Sequence, residues 1–302
     1  MFTNPIKRVI MKYAFSGHES FQCKGLWLKK GYDYAKAGLS FTDDYAVVEL
    51  GVGKNMVASI RYWLRAFGIT NDNGVPTEIG KYLLDDNGAD PYIEDTATLW
   101  LLHYMLVTSR VATLYNIVFT EYNKTRKEFT KADLANAVRR MFADKCFDST
   151  PYNEKTIWRD IDTMLKNYVT PDSIKACDDF SALLIDLKLI GKAGHEDYTF
   201  NCSARAKMEP LVFLFAVLDI TQGKQQVIEF EVLLRLANIF GMSVNELYDV
   251  FDQLHTIDPH ITFCNTAGEQ LFTMKERIDK WQVLNKYYQG ATRSCVNNCS
   301  KF

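Results

Sequence analysis

The 302-residue sequence has no apolar run long enough to cross a bilayer as a helix. Its longest, near Thr98–Val107 and Leu211–Leu218, fall well short of the ~20 residues that a spanning helix needs. It also lacks clustered cysteines. Cys23, Cys146, Cys177, Cys202, Cys264, Cys295 and Cys299 are scattered and odd in number, whereas disulfide frameworks and zinc sites group theirs. Reduced thiols and a cytoplasmic location are therefore expected, and the one close pair, Cys295 and Cys299, has no second ligand pair beside it. An excess of positive charge is missing too. With 35 Lys and Arg against 37 Asp and Glu, the net charge of −2 excludes a chain coated for non-specific nucleic-acid binding, so DNA contact must come from local basic faces. The start, Met1 to Arg8, holds no apolar core of signal-peptide length. Met11 is a second possible start, which would leave residues 1–10 as a loose arm. No hydrolase nucleophile motif, nuclease motif or complete zinc site is present.

What is present is a globular composition, 47% hydrophobic and 24% charged, in a chain long enough for two or three small cores. A plan of helix, turn, helix and short strand pair recurs three times. The expected fold is mostly α (α+β), built of tandem winged-helix-like helix–turn–helix units with short β-hairpin wings. The expected units are 13–90, 123–205 and 206–285, with a connecting helical segment at 91–122 and a mobile tail at 286–302. Helices are expected at Lys54–Phe67, Thr98–Val107, Lys131–Phe142, Glu154–Tyr168, Leu211–Ile220, Val227–Phe240 and Val244–Leu254. Hairpins are expected after Ile69, after Leu187 and between His260 and Thr273, while 108–122 reads as either helix or strand. Thr130 with Asp133, and Ser243, have the chemistry of N-caps.

The first unit carries the clearest functional pattern. Gly51-Val52-Gly53 makes a tight turn into Lys54–Phe67. At 100° per residue, Val57, Ile60, Leu64 and Phe67 form an apolar stripe, while Lys54, Ala58, Arg61 and Arg65 fall on another. Asn55, Ser59 and Tyr62 flank that second stripe. Three cations without an acid, beside hydrogen-bonding side chains, suit phosphates and base edges, although a solvated face has the same periodicity. The Gly51–Asn55 run is not a phosphate-binding loop, because Val48 stands where the first glycine belongs and Asn55 where a magnesium-binding Ser or Thr is needed.

Other clusters are less specific. Lys124, Arg126, Lys127 and Lys131, followed by Arg139 and Arg140, form a basic patch suited to phosphate but carrying no base specificity. Helix Glu154–Tyr168 places Lys155, Arg159, Asp162 and Lys166 on one mixed-charge face, with Ile157, Ile161, Met164, Leu165 and Tyr168 inward. Asn245, Glu246 and Asp252 on the last unit suit packing or protein pairing. In Phe15-Ser16-Gly17-His18-Glu19-Ser20-Phe21, His18 and Glu19 have the chemistry of an acid–base pair or metal ligand, and equally of a locally bonded turn. Asp85, Asp86, Asp90, Glu94 and Asp95 form an acidic cluster, and Glu94 and Asp95 are the candidate metal ligands; a solvated loop is the alternative.

Phe15 to Phe21, Trp27-Leu28-Lys29-Lys30-Gly31, Leu50 to Val57, Ser59 to Trp63, Tyr92 to Asp95 and Leu99 to Tyr104 together resemble the SspB-like family. This bacterial family, long catalogued without function, sits beside sulfur-transfer enzymes of DNA phosphorothioation and phage defence. The resemblance spans roughly residues 13–285. It implies a DNA-binding, DNA-nicking component of a phosphorothioation system, with other proteins of that system as partners. Nicking would imply magnesium or manganese, since a carboxylate-bound cation activates water and stabilises the leaving oxygen. Two other functions fit the residues: a non-catalytic DNA-binding adaptor or regulator, and a protein-interaction scaffold.

Overall fold

The computed structural model describes residues 14–109, 111–143, 151–172, 182–200, 202, 204–266 and 269–299; beyond 290 and at 266 and 269 only the backbone is described. The expected loose arm, Cys146, Cys177, most of the 144–153 loop and the side chains of Cys295 and Cys299 lie outside the described residues.

The chain opens with α1 (Trp27–Lys36), α2 (Ala46–Leu50), α3 (Lys54–Ala66) and α4 (Glu78–Leu84). Gly51, left-handed at φ 61°, ends α2, and extended Gly53 starts α3. The α1–α3 crossing depends on Gly31, where a Cβ would lie 2.6 Å from Ile60 Cγ2 and 2.8 Å from Leu64 Cδ1. Thr77 caps α4 by accepting from the Gly80 N–H. The hairpin expected after Ile69 shrinks to one bridge, Thr70 to Pro76. Pro76 has no N–H to extend a ladder. The turn is closed instead by Asn71, whose side chain accepts from the N–H groups of Asn73 and Val75.

The connecting helix is α5 (Thr96–Thr108), followed by α6 (Thr113–Ile117), a π-helical turn over Val118–Tyr122, and α7 (Asn123–Thr125). From Thr113 to Tyr122 the ambiguous segment is therefore helical. Its widened turn is braced by Asn238, whose amide donates to the Phe119 carbonyl at 2.8 Å and to Asn123 Oδ1 at 2.7 Å.

Two segments then follow the same order of strand, helix, helix and hairpin. The first comprises β1 (Glu128–Thr130), α8 (Lys131–Ala143), α9 (Glu154–Tyr168), β2 (Gly191–Lys192) and β3 (Asp197–Thr199). After α10 (Pro210–Ile220), the second comprises β4 (Val227–Glu229), α11 (Phe230–Ile239), α12 (Val244–Ile257), β5 (Ile261–Thr266) and β6 (Glu269–Met274). In each antiparallel sheet the leading strand pairs with the last, giving the orders β1-β3-β2 and β4-β6-β5. Thr130 and Asp133 bond reciprocally at the start of α8, and Ser243 and Glu246 do so at α12.

Three expectations are corrected. Val227–Glu229 is strand rather than helix, because Ile228 is fully buried opposite Phe272 in the sheet register. Leu187 ends a 3-10 turn over Ile185–Leu187, and left-handed Lys188 delays the hairpin to Gly191. Of the tail expected at 286–302, residues 286–299 lie in α13 (Lys280–Cys299), where Tyr288 is buried and its hydroxyl lies 2.7 Å from Thr98 Oγ1. Buried side chains form one cluster running from Cys23 to Tyr288. Its centre is α10, buried at every position from Pro210 to Leu218, beside α5, which is buried from Ala97 to Tyr104. Helices apolar all round are stable only inside a core. Among the described residues no helix is long and apolar enough to cross a membrane.

Candidate nucleic-acid interface

The segment from Phe15 to Phe21 is held against the helices from both directions. Ser16, Gly17, Glu19 and Ser20 all have positive φ, at 72°, 105°, 49° and 64°. Such a run costs about 1–3 kcal/mol per non-glycine residue unless its surroundings over-determine it. The restraint comes from Asp160 on α9. Its carboxylate accepts the Ser16 N–H at 3.0 and 2.9 Å and lies 2.9 Å from His18 Nε2. His18 Nδ1 accepts the Ser20 N–H at 3.1 Å, so Nε2 carries the proton donated to Asp160. From the other side, Trp63 Nε1 donates to the Phe21 carbonyl at 3.1 Å, and the His18 ring stacks 6.2 Å from that of Trp63. Gly17 lies on the Tyr62 ring, where a Cβ would come within 2.8 Å of Cδ2.

This packing sorts the expected site residues. His18 is buried with both ring nitrogens bonded to the protein, whereas Glu19 is exposed, so the two do not form a solvent-facing acid–base pair. Ser59 and Tyr62 are buried and leave the exposed face of α3. The reason is that α3 is covered twice, by α1 across Gly31 and by Gly17 and His18 across Tyr62 and Trp63. Burial raises the Tyr62 hydroxyl pKa far above its ordinary range, with the Asp160 charge adding to the effect. Ser59 Oγ has no hydrogen-bond partner among the described residues.

Lys54 and Asn55 remain exposed, and Arg61 and Arg65 half-exposed. Lys54, Arg61 and Arg65 line an open groove of about 470 Å³ whose other wall carries Asp43, Asp44 and Gly17. Arg65 Nη2 lies 2.6 Å from Asp72, and Lys54 lies 3.8 Å from Asp44. Both pairs involve largely exposed acids and are worth little in water. Arg61 has no ion pair or hydrogen bond among the described residues.

The second basic patch is internally compensated. Lys124 faces Glu121 at 3.6 Å, Arg126 faces Asp133 at 3.1 Å, and Lys127 donates to the Asn123 carbonyl at 3.0 Å. The acidic cluster is spent on structure. Asp85 pairs with Lys36, and Asp86 with Lys29 and Lys36. Asp90 accepts from the N–H groups of Glu94 and Asp95 and from Thr98 Oγ1. Asp95 caps α5 through the Ala97 N–H and accepts from the Tyr287 hydroxyl. Glu94 is exposed. Among the described residues, no three His, Cys, Asp or Glu side chains come together as metal ligands, so Glu94 and Asp95 do not complete a divalent-cation site.

Sequence reasoning missed Asp160 and Asn167, the residues that tie the segment to α9. Asn167 accepts the Cys23 N–H at 3.0 Å and donates to the Tyr115 hydroxyl at 2.7 Å. The signal was there: both lie on the stripe of α9 that also carries Ile157, Ile161 and Met164, where a polar residue is costly unless bonded.

These features define an α+β protein with two small antiparallel three-stranded sheets and a cation-lined groove beside a strained N-terminal segment. Residues 15–288 match the family described as protein of unknown function DUF4007, and the chain belongs to that family. It is also similar to two crystal structures of SspB. The magnesium ion-bound one has a TM-score of 0.80 and 26% identity, covering 94% of this chain and 90% of the other. The second has a TM-score of 0.79 and 28% identity over the same shares. No curated protein matches the sequence.

Proposed function

We propose that this protein is a DNA-binding component of a bacterial phosphorothioate modification and defence system, working with the other proteins of that system. In this reading Lys54, Asn55, Arg61 and Arg65 on α3 contact duplex DNA. The order of strand, helix, helix and hairpin in the two sheet-bearing segments, neither of which contains α3, is the order expected of winged-helix-like units and supports a DNA-handling role for the chain as a whole. The observation carrying the proposal is Arg61, an arginine with no ion pair or hydrogen bond among the described residues, in a groove flanked by two further cations. Arg65 and Lys54 can exchange weak pairs with Asp72 and Asp44 for phosphate, with release of counterions. The similarity to SspB supports a place in an SspB-associated system.

The test is duplex binding by fluorescence anisotropy at several salt concentrations. Arg61→Ala combined with Arg65→Ala should weaken binding at least tenfold at low salt and flatten the salt dependence; unchanged affinity would refute the α3 assignment.

For the chemistry, the resemblance implies nicking, and a neighbouring structure is magnesium-bound SspB. Among the described residues no three acids, histidines or cysteines come together as cation ligands. The second reading is a non-catalytic adaptor, favoured by the full internal bonding of His18. Conversion of supercoiled plasmid to open circle in magnesium or manganese, lost in Glu19→Ala, would support nicking. Absence of conversion in both metals would favour the adaptor.

A further inference from the structure

The outward face of α9 has no role in that reading. Lys155, Arg159, Asp162 and Lys166 recur along it at intervals of three or four residues, and the half-buried Trp158 indole lies beside them. They line a second open groove, of about 630 Å³. Two acids share it: Asp162 lies 2.5 Å from Lys131 on α8, and Glu154 sits in the first turn of α9, leaving three cations to one uncompensated acid. Lys155, Arg159 and Lys166 make no ion pair among the described residues. The groove also contains Ser20, and the α3 groove contains Gly17. The strained segment thus separates two cation-lined grooves and is pinned to the helix behind each, through Asp160 on α9 and Trp63 on α3.

We propose that the α9 groove binds an unpaired DNA strand, with a base stacked on Trp158 and the phosphates on Lys155, Arg159 and Lys166. The argument is chemical. Cations alone take any phosphate, but an indole set among them can meet a base face only where the base has left its duplex stack. Aromatic rings interleaved with cations are the usual composition of single-strand surfaces. The proposal rests on the reading that this protein handles DNA. It adds a strand-selective site beside the duplex-binding one.

The experiment compares a fluorescent single-stranded oligonucleotide with its duplex, binding each to the full chain. Trp158→Ala should weaken single-strand binding about tenfold and leave duplex binding within twofold, and Trp158→Phe should restore most of the loss. Because Trp158 is half-buried, the exposed triple variant Lys155→Glu, Arg159→Glu and Lys166→Glu provides a second measure. It should abolish single-strand binding at low salt while retaining the wild-type melting temperature. Single-strand binding unaffected by the charge-reversed triple variant overturns the proposal. So does equal weakening of both ligands by Trp158→Ala, which would make α9 a general phosphate surface. Failure of the α3 reading is scored separately, by duplex binding of Arg61→Ala with Arg65→Ala, and leaves the single-strand result standing.

Discussion

At the scale of single residues, Asp160 has the largest structural consequence. One carboxylate on α9 fixes a segment 142 positions earlier in the chain through the Ser16 N–H and His18. Removing it strands two donors in a buried place, a cost of ~2–4 kcal/mol. Asp160→Ala should lower unfolding stability by that amount in urea titration and open the 14–22 segment to limited proteolysis. A loss under about 1 kcal/mol would mean that the segment is held elsewhere. His103 makes a pH prediction. Its Nε2 donates to the Ile239 carbonyl and its Nδ1 accepts from the Tyr168 hydroxyl, both at 2.8 Å. Burial depresses its pKa from 6.5 to about 4, with the Ile239 bond opposing the shift. Between these values the unfolded chain binds the proton and the folded one does not, so stability falls as pH drops from about 6.5 towards 4. Over that window the contribution lost is ~3 kcal/mol. His103→Gln should flatten this part of the stability–pH curve, measured by denaturant midpoints from pH 4 to pH 7.

At the scale of elements, α3 is shaped more by its neighbours than by its own periodicity. Its apolar stripe packs on α1, but the same helix also buries Ser59 and Tyr62 because the N-terminal segment lies across its flank. The solvent-facing strip of α3 is consequently narrower than the helical wheel suggests: Lys54, Asn55, Ala58, Arg61 and Arg65. Gly31 sets how closely α1 and α3 approach. Gly31→Ala gains helix propensity of roughly 1 kcal/mol yet forces a Cβ against Ile60 and Leu64, an overpacking cost of ~1–3 kcal/mol. A net destabilisation is expected in thermal melts. Gly31→Ala should cost less in an Ile60→Ala background, which lacks the contacting Cγ2, than in the wild-type chain; an equal cost would place the strain elsewhere.

At the scale of the whole molecule, the net charge is near zero and acids face the α3 groove, so the proposed duplex binding is expected to depend on the few α3 cations and to weaken as salt rises. Three or four phosphate contacts predict a slope of about −3 in log affinity against log salt concentration. A slope near zero would remove phosphate from the interface, and one steeper than about −6 would require surfaces beyond α3. The two segments ordered as strand, helix, helix and hairpin are joined through α5 and α10 into a single buried cluster, and α13 returns to this core through Tyr287 and Tyr288.

How much of this was legible in the sequence follows from the range of each interaction. Helix positions, the Gly51–Gly53 turn, the caps at Thr130 and Ser243 and the cation stripe on α3 depend on residues within a few positions of one another. Local sequence determined them. The reciprocal Thr130–Asp133 bonds are the same chemistry in the sequence and in the structure. Long-range contacts decided the rest. The strand at Val227–Glu229 exists because β6 offers a partner, and α13 extends past 286 because Thr98 and Asp95 meet its tyrosines. The Lys54–Arg65 face was therefore a property of the sequence, as a cationic stripe of fixed spacing. That Lys54, Asn55, Arg61 and Arg65 stay outside while Ser59, Tyr62 and His18 turn inward was decided by the tertiary structure. A segment 40 to 50 residues upstream lies on one flank of the helix, and a carboxylate on a third element holds it there.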